Sequence, residues 1–137
     1  MRILMLLIGL FSGPALSQSV DSNHAQNNFM LHCQGCHRAD GLGLPGSVPS
    51  MKDFVSNFLW VPGGREFLIR VPGSANSSLS NKDLAELLNW MLLELSSQGL
   101  PNDFALYTEK EVQQARARVL VDVGAYRATL VAQMKLP

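Results

Sequence analysis

The chain of 137 residues has only two cysteines, and both lie in the stretch FMLHCQGCHRADG. Cys33 and Cys36 are separated by two residues, and His37 follows directly. A disulfide between them would close too small a loop to stabilise a domain of this size appreciably. It would also leave the adjacent imidazole unexplained. This stretch therefore predicts a chemical site, and the rest of the chain has to fold around it.

Three kinds of reactive site can use two thiols in this spacing. A thioredoxin-like redox pair is expected beside a βαβ pattern, and a structural zinc site needs four ligands where only three are clustered. The pattern C-x-x-C-H is that of c-type haem attachment. One helical turn brings both thiols to the vinyl groups of the porphyrin and places the next residue beneath the ring. We predict one covalent haem c on Cys33 and Cys36, with His37 as axial iron ligand.

The first residues are typical of a secretory signal peptide. Arg2 precedes an apolar run at residues 3–11, and the small residues Ala15 and Ser17 follow a helix-breaking Gly-Pro pair. A membrane span needs about 20 apolar residues, so this run is too short for a permanent anchor. We expect cleavage after Ser17, with Ala15 as the alternative, and export to the bacterial periplasm.

The charge of the chain is balanced. Eleven Lys and Arg residues stand against eleven Asp and Glu residues, which gives no net charge at neutral pH. This balance gives no reason to expect nucleic acid or an anionic membrane surface as a partner.

Apolar residues recur with helical spacing, and no strand pattern of period two persists, so the fold class predicted is all-α. The clearest helix begins at the capping residue Ser80 and carries an apolar stripe to about residue 95. A second cap at Thr108 opens a helix through residue 121, which residues 123–136 could continue. The other predicted helices are residues 23–36, capped by Ser22 or Asn23, and the short segments 51–59 and 65–70.

Two segments resemble the class I cytochrome c family. The segment NNFMLHCQGCHRADGLG resembles the opening of that family, and LSNKDLAELLNWMLLEL is similar to its closing helix. The resemblance covers about residues 23–95 and implies a small helical domain wrapped around one haem, in which Phe29 packs on Trp90. Together with the N-terminal signal features, the extent of this resemblance predicts three parts: a signal peptide (1–17), a cytochrome c domain (18–100) and a helical C-terminal extension (101–137). We expect the extension to pack on the haem domain.

The resemblance implies further haem contacts. In the family, the carbonyl of a proline after the haem motif accepts a hydrogen bond from the haem histidine, and Pro49 is the matching position. A turn residue is the alternative interpretation of Pro49. Trp60 and Arg65 could donate hydrogen bonds to the haem propionates, as a tryptophan and an arginine do in some relatives. The alternative for Arg65 is a solvated side chain.

The sixth iron ligand is where the sequence departs from the family. The family usually supplies a methionine from the loop before the closing helix, but here that loop reads VPGSANSSLS. Met51 follows Pro49 by two residues, so we expect it on the His37 side of the ring, in the core. Met91 lies on the stripe of the closing helix and is the best remaining thioether, with core packing as its alternative. An iron face without a protein ligand is therefore also possible.

The function predicted is an electron carrier with redox partner proteins such as an oxidoreductase or a terminal oxidase. No nucleophile with a base stands out, so the chain is not expected to be an enzyme. One alternative is a haem protein whose open sixth position binds small ligands or senses gas. Another is an electron-transfer subunit dedicated to one dehydrogenase, with the C-terminal segment as its docking element.

Overall fold

A computed structural model of the chain describes residues 20–97 and 99–134. The predicted signal peptide at residues 1–17 lies outside the described residues. Within the described part, the only β pairing is an isolated bridge between Leu44 and Val48, so the predicted all-α fold is confirmed. No helix in this part is both long and apolar enough to cross a membrane. The helices are α1 (Ser22–His32), α2 (Gln34–His37), a 3-10 helix (Val55–Trp60), α3 (Gly64–Arg70), α4 (Pro72–Ala75), α5 (Asn81–Glu94), α6 (Glu109–Arg116) and α7 (Val123–Gln133).

The haem-motif segment forms two helices where the sequence predicted one. Helix α1 ends at His32. Its C-cap Cys33 has backbone angles (φ −124°, ψ −38°) outside the helical region, and α2 begins at Gln34. The predicted caps Ser22 and Asn23 were also wrong. Asp21 is the cap, and its carboxylate accepts a hydrogen bond of 3.1 Å from the backbone N–H of His24.

The helices in the middle of the chain differ in part from the prediction. The segment predicted as a helix at residues 51–59 becomes helical only at Val55, and it is a 3-10 helix. Helix α3 agrees with the prediction and starts at Gly64. This position suits glycine because an added Cβ would collide with the carbonyl oxygen of Phe58. Pro72 both ends α3 and opens α4, since proline suits the first turn of a helix.

Helix α5 is the centre of the core. Its cap is the predicted Ser80, whose hydroxyl accepts a hydrogen bond of 3.0 Å from the N–H of Asp83. The predicted pair at the crossing of α1 and α5 is confirmed, with 5.3 Å between the ring centroids of Phe29 and Trp90. Such a pair contributes about 1 kcal/mol beyond the apolar area that it buries.

The C-terminal segment packs on this core. Helix α6 is capped by Thr108 as predicted but ends at Arg116, and α7 is a separate helix with its own cap, Asp122. Val112 of α6 and Leu130 of α7 are buried against the core. These apolar contacts place both helices on the body of the protein.

Candidate haem site

A cavity of about 330 Å³ opens between the haem-motif segment and the core. Its wall is mostly apolar and comes from the 3-10 helix, α3 and α5, with Val55, Phe58, Phe67, Leu68, Leu84, Leu87 and Leu88 among the lining residues. Cys33, Cys36 and His37 line the same cavity. The structure therefore gathers the whole sequence motif at one apolar site of a size typical for small-molecule ligands.

The two thiols are unbridged at the edge of this cavity. Cys33 is half-buried and Cys36 is exposed. The carbonyl oxygen of Cys33 accepts hydrogen bonds from the backbone N–H groups of Cys36 (3.1 Å) and His37 (2.9 Å), which form the turn of α2. Burial, with a smaller effect of the neighbouring Cys36, raises the pKa of the Cys33 thiol. Reactive redox cysteines need a lowered pKa, so this environment does not favour a thioredoxin-like pair.

His37 lines the cavity in surroundings that favour its neutral imidazole. Burial lowers its pKa, and the nearby backbone of Pro49 opposes that change. The Nδ1 atom is buried but makes no hydrogen bond of standard geometry to the described residues. Neutral imidazole is the form of histidine that binds metals. Pro49 also lines the cavity, so the residue predicted to orient the ring lies beside it.

Gly43 holds Pro49 and His37 together, and sequence reasoning missed it. Its N–H donates a hydrogen bond of 3.1 Å to the carbonyl oxygen of His37. A Cβ at this position would lie 2.8 Å from the carbonyl oxygen of Pro49 and closer still to that of Val48. The backbone of Gly43 also has φ +69°, a conformation that glycine adopts without strain. The available signal was the Gly-rich run after the motif, which the sequence alone marked only as a loop.

Both candidate methionines line the cavity. The N–H of Met51 donates a hydrogen bond of 2.8 Å to the carbonyl oxygen of Gly41, so Met51 is tied to the loop that follows His37. Met91 is 7% exposed in the interior of α5 and packs within the hydrophobic core. His32, the residue before Cys33, also lines the cavity.

Trp60 and Arg65 lie apart from this group, because neither lines the cavity. The side chain of Trp60 is 61% exposed. The guanidinium of Arg65 makes two hydrogen bonds to the carboxylate of Glu111, at 2.6 and 2.8 Å, and it stacks 3.9 Å above the ring of Tyr107. Arg65 therefore links α3 to the C-terminal segment.

Arg127 of α7 lines the cavity instead, and the sequence analysis did not assign it to the site. Its guanidinium carbon lies 5.5 Å from the ring centroid of Phe54 and 6.0 Å from that of Phe58. Among the described residues that line the cavity, it is the one arginine or lysine. The sequence contained a pattern that could have indicated this role. Val123, Arg127 and Leu130 have helical spacing, which places a cation on an apolar stripe.

The donor set fits a haem. Two adjacent thiols, an imidazole beside them and an apolar cavity with one cation match the thioether carbons, iron, porphyrin and carboxylates of that group. The fold and the site together define a small helical haem-binding protein.

Comparison with known proteins agrees with that class. No family model matches the chain. A protein named cytochrome c-552 from a strain of Thermus thermophilus is 30% identical over an alignment that covers 87% of this chain and 88% of that protein. Another cytochrome c-552 from Thermus thermophilus is 29% identical, covering 64% of this chain and 81% of that protein. The chain therefore belongs to the cytochrome c family.

Proposed function

We propose that this chain is an exported c-type cytochrome that carries single electrons through one covalently attached haem. The observation that supports this function best is the common cavity of Cys33, Cys36 and His37. The names of the two relatives are those of c-type cytochromes, and they agree with this proposal. Haem c supplies a reversible one-electron change at iron, so the protein has to bind it, orient it and control its surroundings.

Each residue of the motif has a role in this proposal. Cys33 and Cys36 form thioethers to the haem, and His37 binds iron through its neutral imidazole. The backbone of Pro49 orients the ring, and contacts of this kind tune both the basicity of a histidine ligand and the potential of its metal. The apolar wall keeps water from the ring and thereby favours the reduced, less charged state of the site.

We assign Arg127 as the residue that binds the haem propionates. The guanidinium of Arg65 is already held by Glu111 and by the backbone oxygen of Ala105, at 2.8 Å, and it does not reach the cavity wall. Arg127 reaches the cavity and has no carboxylate partner among the described residues. Trp60 stays a prediction, since its exposed side chain lies outside the lining.

Export and partners complete the proposal. Residues 1–17 direct the chain to the bacterial periplasm and are removed there, which leaves a cytochrome c domain (18–100) and a helical C-terminal extension (101–137). The mature protein accepts electrons from one redox partner protein and passes them to another, for example between an oxidoreductase and a terminal oxidase.

The test is the mass of the protein produced with an intact haem-attachment system. We expect a chain that begins near Gln18 and carries one haem, resistant to denaturation and acid extraction. Cys33→Ala and Cys36→Ala should each lower haem retention, whereas His32→Gln, a change at a histidine that also lines the cavity, should keep the haem attached. Free thiols at both cysteines in the purified protein would refute covalent attachment.

A further inference from the structure

The segment between α3 and α5 forms part of the cavity wall, and it contains no group that binds iron. It lies where the family usually provides the methionine ligand. The residues that it contributes to the lining are Val71, Pro72, Gly73, Ser74, Ser77 and Leu79. None of their side chains has a thioether, imidazole, thiolate or amine donor.

The two thioethers that line the cavity elsewhere are held by other contacts. Met51 follows Pro49, and its N–H is bonded to Gly41 in the loop that leaves His37. This bond ties the backbone of Met51 to the loop that follows His37. Met91 lies in the regular helix α5, where the backbone of Leu95 bonds to its carbonyl oxygen at 2.9 Å. Moving its sulfur towards iron would disturb a close-packed core, which costs energy at every neighbour.

Arg116 of α6 fixes the wall segment in place. Its guanidinium donates hydrogen bonds to the carbonyl oxygens of Ala75 (3.1 Å), Ser77 (2.7 Å) and Leu79 (2.9 Å) and to the side-chain oxygen of Asn81 (3.1 Å). The planar guanidinium makes several directed bonds at once, so these four hydrogen bonds define one arrangement of the segment. Arg116 itself does not line the cavity. The C-terminal extension therefore determines the shape of this wall from behind it.

We propose that the iron position opposite His37 is a binding site for a small uncharged diatomic ligand, and that Arg116 is the positioning residue for its wall. The inference rests on the proposed function, because it requires the haem. The side chains that the wall segment contributes to the lining are apolar apart from the hydroxyls of Ser74 and Ser77, and the Ser77 hydroxyl donates to the carbonyl oxygen of Ser74 at 2.9 Å. An anion at such a wall would lose hydration without gaining a cation, so a neutral ligand is favoured.

Carbon monoxide is the probe for the open position. We expect the reduced holoprotein to bind it at a rate that rises linearly with its concentration, because no protein ligand has to leave first. Met91→Leu, Met51→Leu and His32→Gln, which remove the two thioethers and the second imidazole of the lining, should leave this rate unchanged. A rate that reaches a limit at high concentration, together with a far-red sulfur-to-iron absorption band that either methionine substitution removes, would overturn the inference, and so would a limit that His32→Gln removes. The mass test detects the haem independently, so a protein with attached haem that excludes carbon monoxide refutes only the open position.

The role of Arg116 is tested on the same complex. Arg116→Gln removes most of the hydrogen bonds to the wall, and we expect carbon monoxide to dissociate several-fold faster and its infrared stretching band to shift or broaden. The matched control is Arg118→Gln, since Arg118 is 59% exposed and contacts Glu66 at 3.1 Å. Arg116→Lys, which keeps the charge but cannot bond all four acceptors, should give an intermediate band and serves if the glutamine variant does not fold. Rates and bands equal to those of the control variant would overturn the positioning role.

Discussion

Replacing Gly43 by alanine tests whether a close backbone approach builds the His37 site. The glycine sits in the left-handed region, and its N–H binds the carbonyl oxygen of His37. An added Cβ would press on the carbonyl oxygens of Val48 and Pro49, the second of which it would approach to 2.8 Å. The backbone of Pro49, which lies beside the imidazole, would have to move.

The cost has two parts. A left-handed conformation disfavours alanine by roughly 1–2 kcal/mol. Displacing two fixed carbonyl groups adds an overpacking cost of about 1–3 kcal/mol. Gly46 is a matched control in the same loop, because it has φ +79° and no atom within 4 Å of its added Cβ. Gly46→Ala should therefore lower the free energy of unfolding by the first part only, and Gly43→Ala by both.

The assay is urea unfolding of the two holoprotein variants, followed by far-ultraviolet circular dichroism and extrapolated linearly to water. We also expect the reduction potential to shift in Gly43→Ala and to stay at the parent value in Gly46→Ala, since only the first disturbs Pro49. Equal losses of stability in the two variants, with equal potentials, would refute the idea that the approach of Gly43 to Pro49 shapes the site.

Three more predictions test contacts away from the haem motif. A hydrogen bond to Glu86 raises the pKa of His24. The protonated His24 side chain should therefore stabilise the fold fully below about pH 6.5, and this stabilisation should fall as the pH rises through the raised pKa. In His24→Gln, this pH dependence of the urea unfolding midpoint should disappear. Asn89→Ala should cost about 2–4 kcal/mol in urea unfolding, because it strands the buried N–H and C=O of Tyr107, and a loss below about 0.5 kcal/mol would contradict this. Arg127→Met should lower the reduction potential in a redox titration, since a cation near the propionates favours reduced iron, and an unchanged potential would remove Arg127 from the site.

Local rules explain which parts of the fold the sequence could predict. Ser80 and Thr108 were assigned correctly as helix caps because a cap depends on a side chain and a backbone N–H three residues away. The break at Cys33 could not be read in this way, since apolar spacing continues across it while one residue changes its backbone angles. The end of α6 at Arg116 was also missed.

The difference between local and long-range contacts also explains which residues of the site could be predicted. Cys33, Cys36 and His37 are adjacent in the sequence, so their common position at the cavity follows from one helical turn. Gly43 and Arg127 contribute only because the chain returns to the motif, in one case through a tight loop and in the other through α7. Arg65 illustrates the converse. A local resemblance suggested a propionate partner, but a carboxylate 46 positions away in the sequence binds its guanidinium.

The C-terminal segment acts on the haem site through three separate contacts. The amide of Asn89 on α5 forms two hydrogen bonds with the backbone of Tyr107, at 2.7 and 3.1 Å, and so fixes the start of the segment to the closing helix. Arg116 then holds one wall of the cavity, and Arg127 supplies its cation. The family resemblance does not end at the boundary predicted near residue 100, because the alignment with one cytochrome c-552 covers 87% of this chain and extends beyond that residue. The contacts across the boundary also give no reason to expect that either side folds alone. The loop between α3 and α5, which contains no methionine, forms an ordered wall because Arg116, beyond the closing helix, provides hydrogen bonds that fix it.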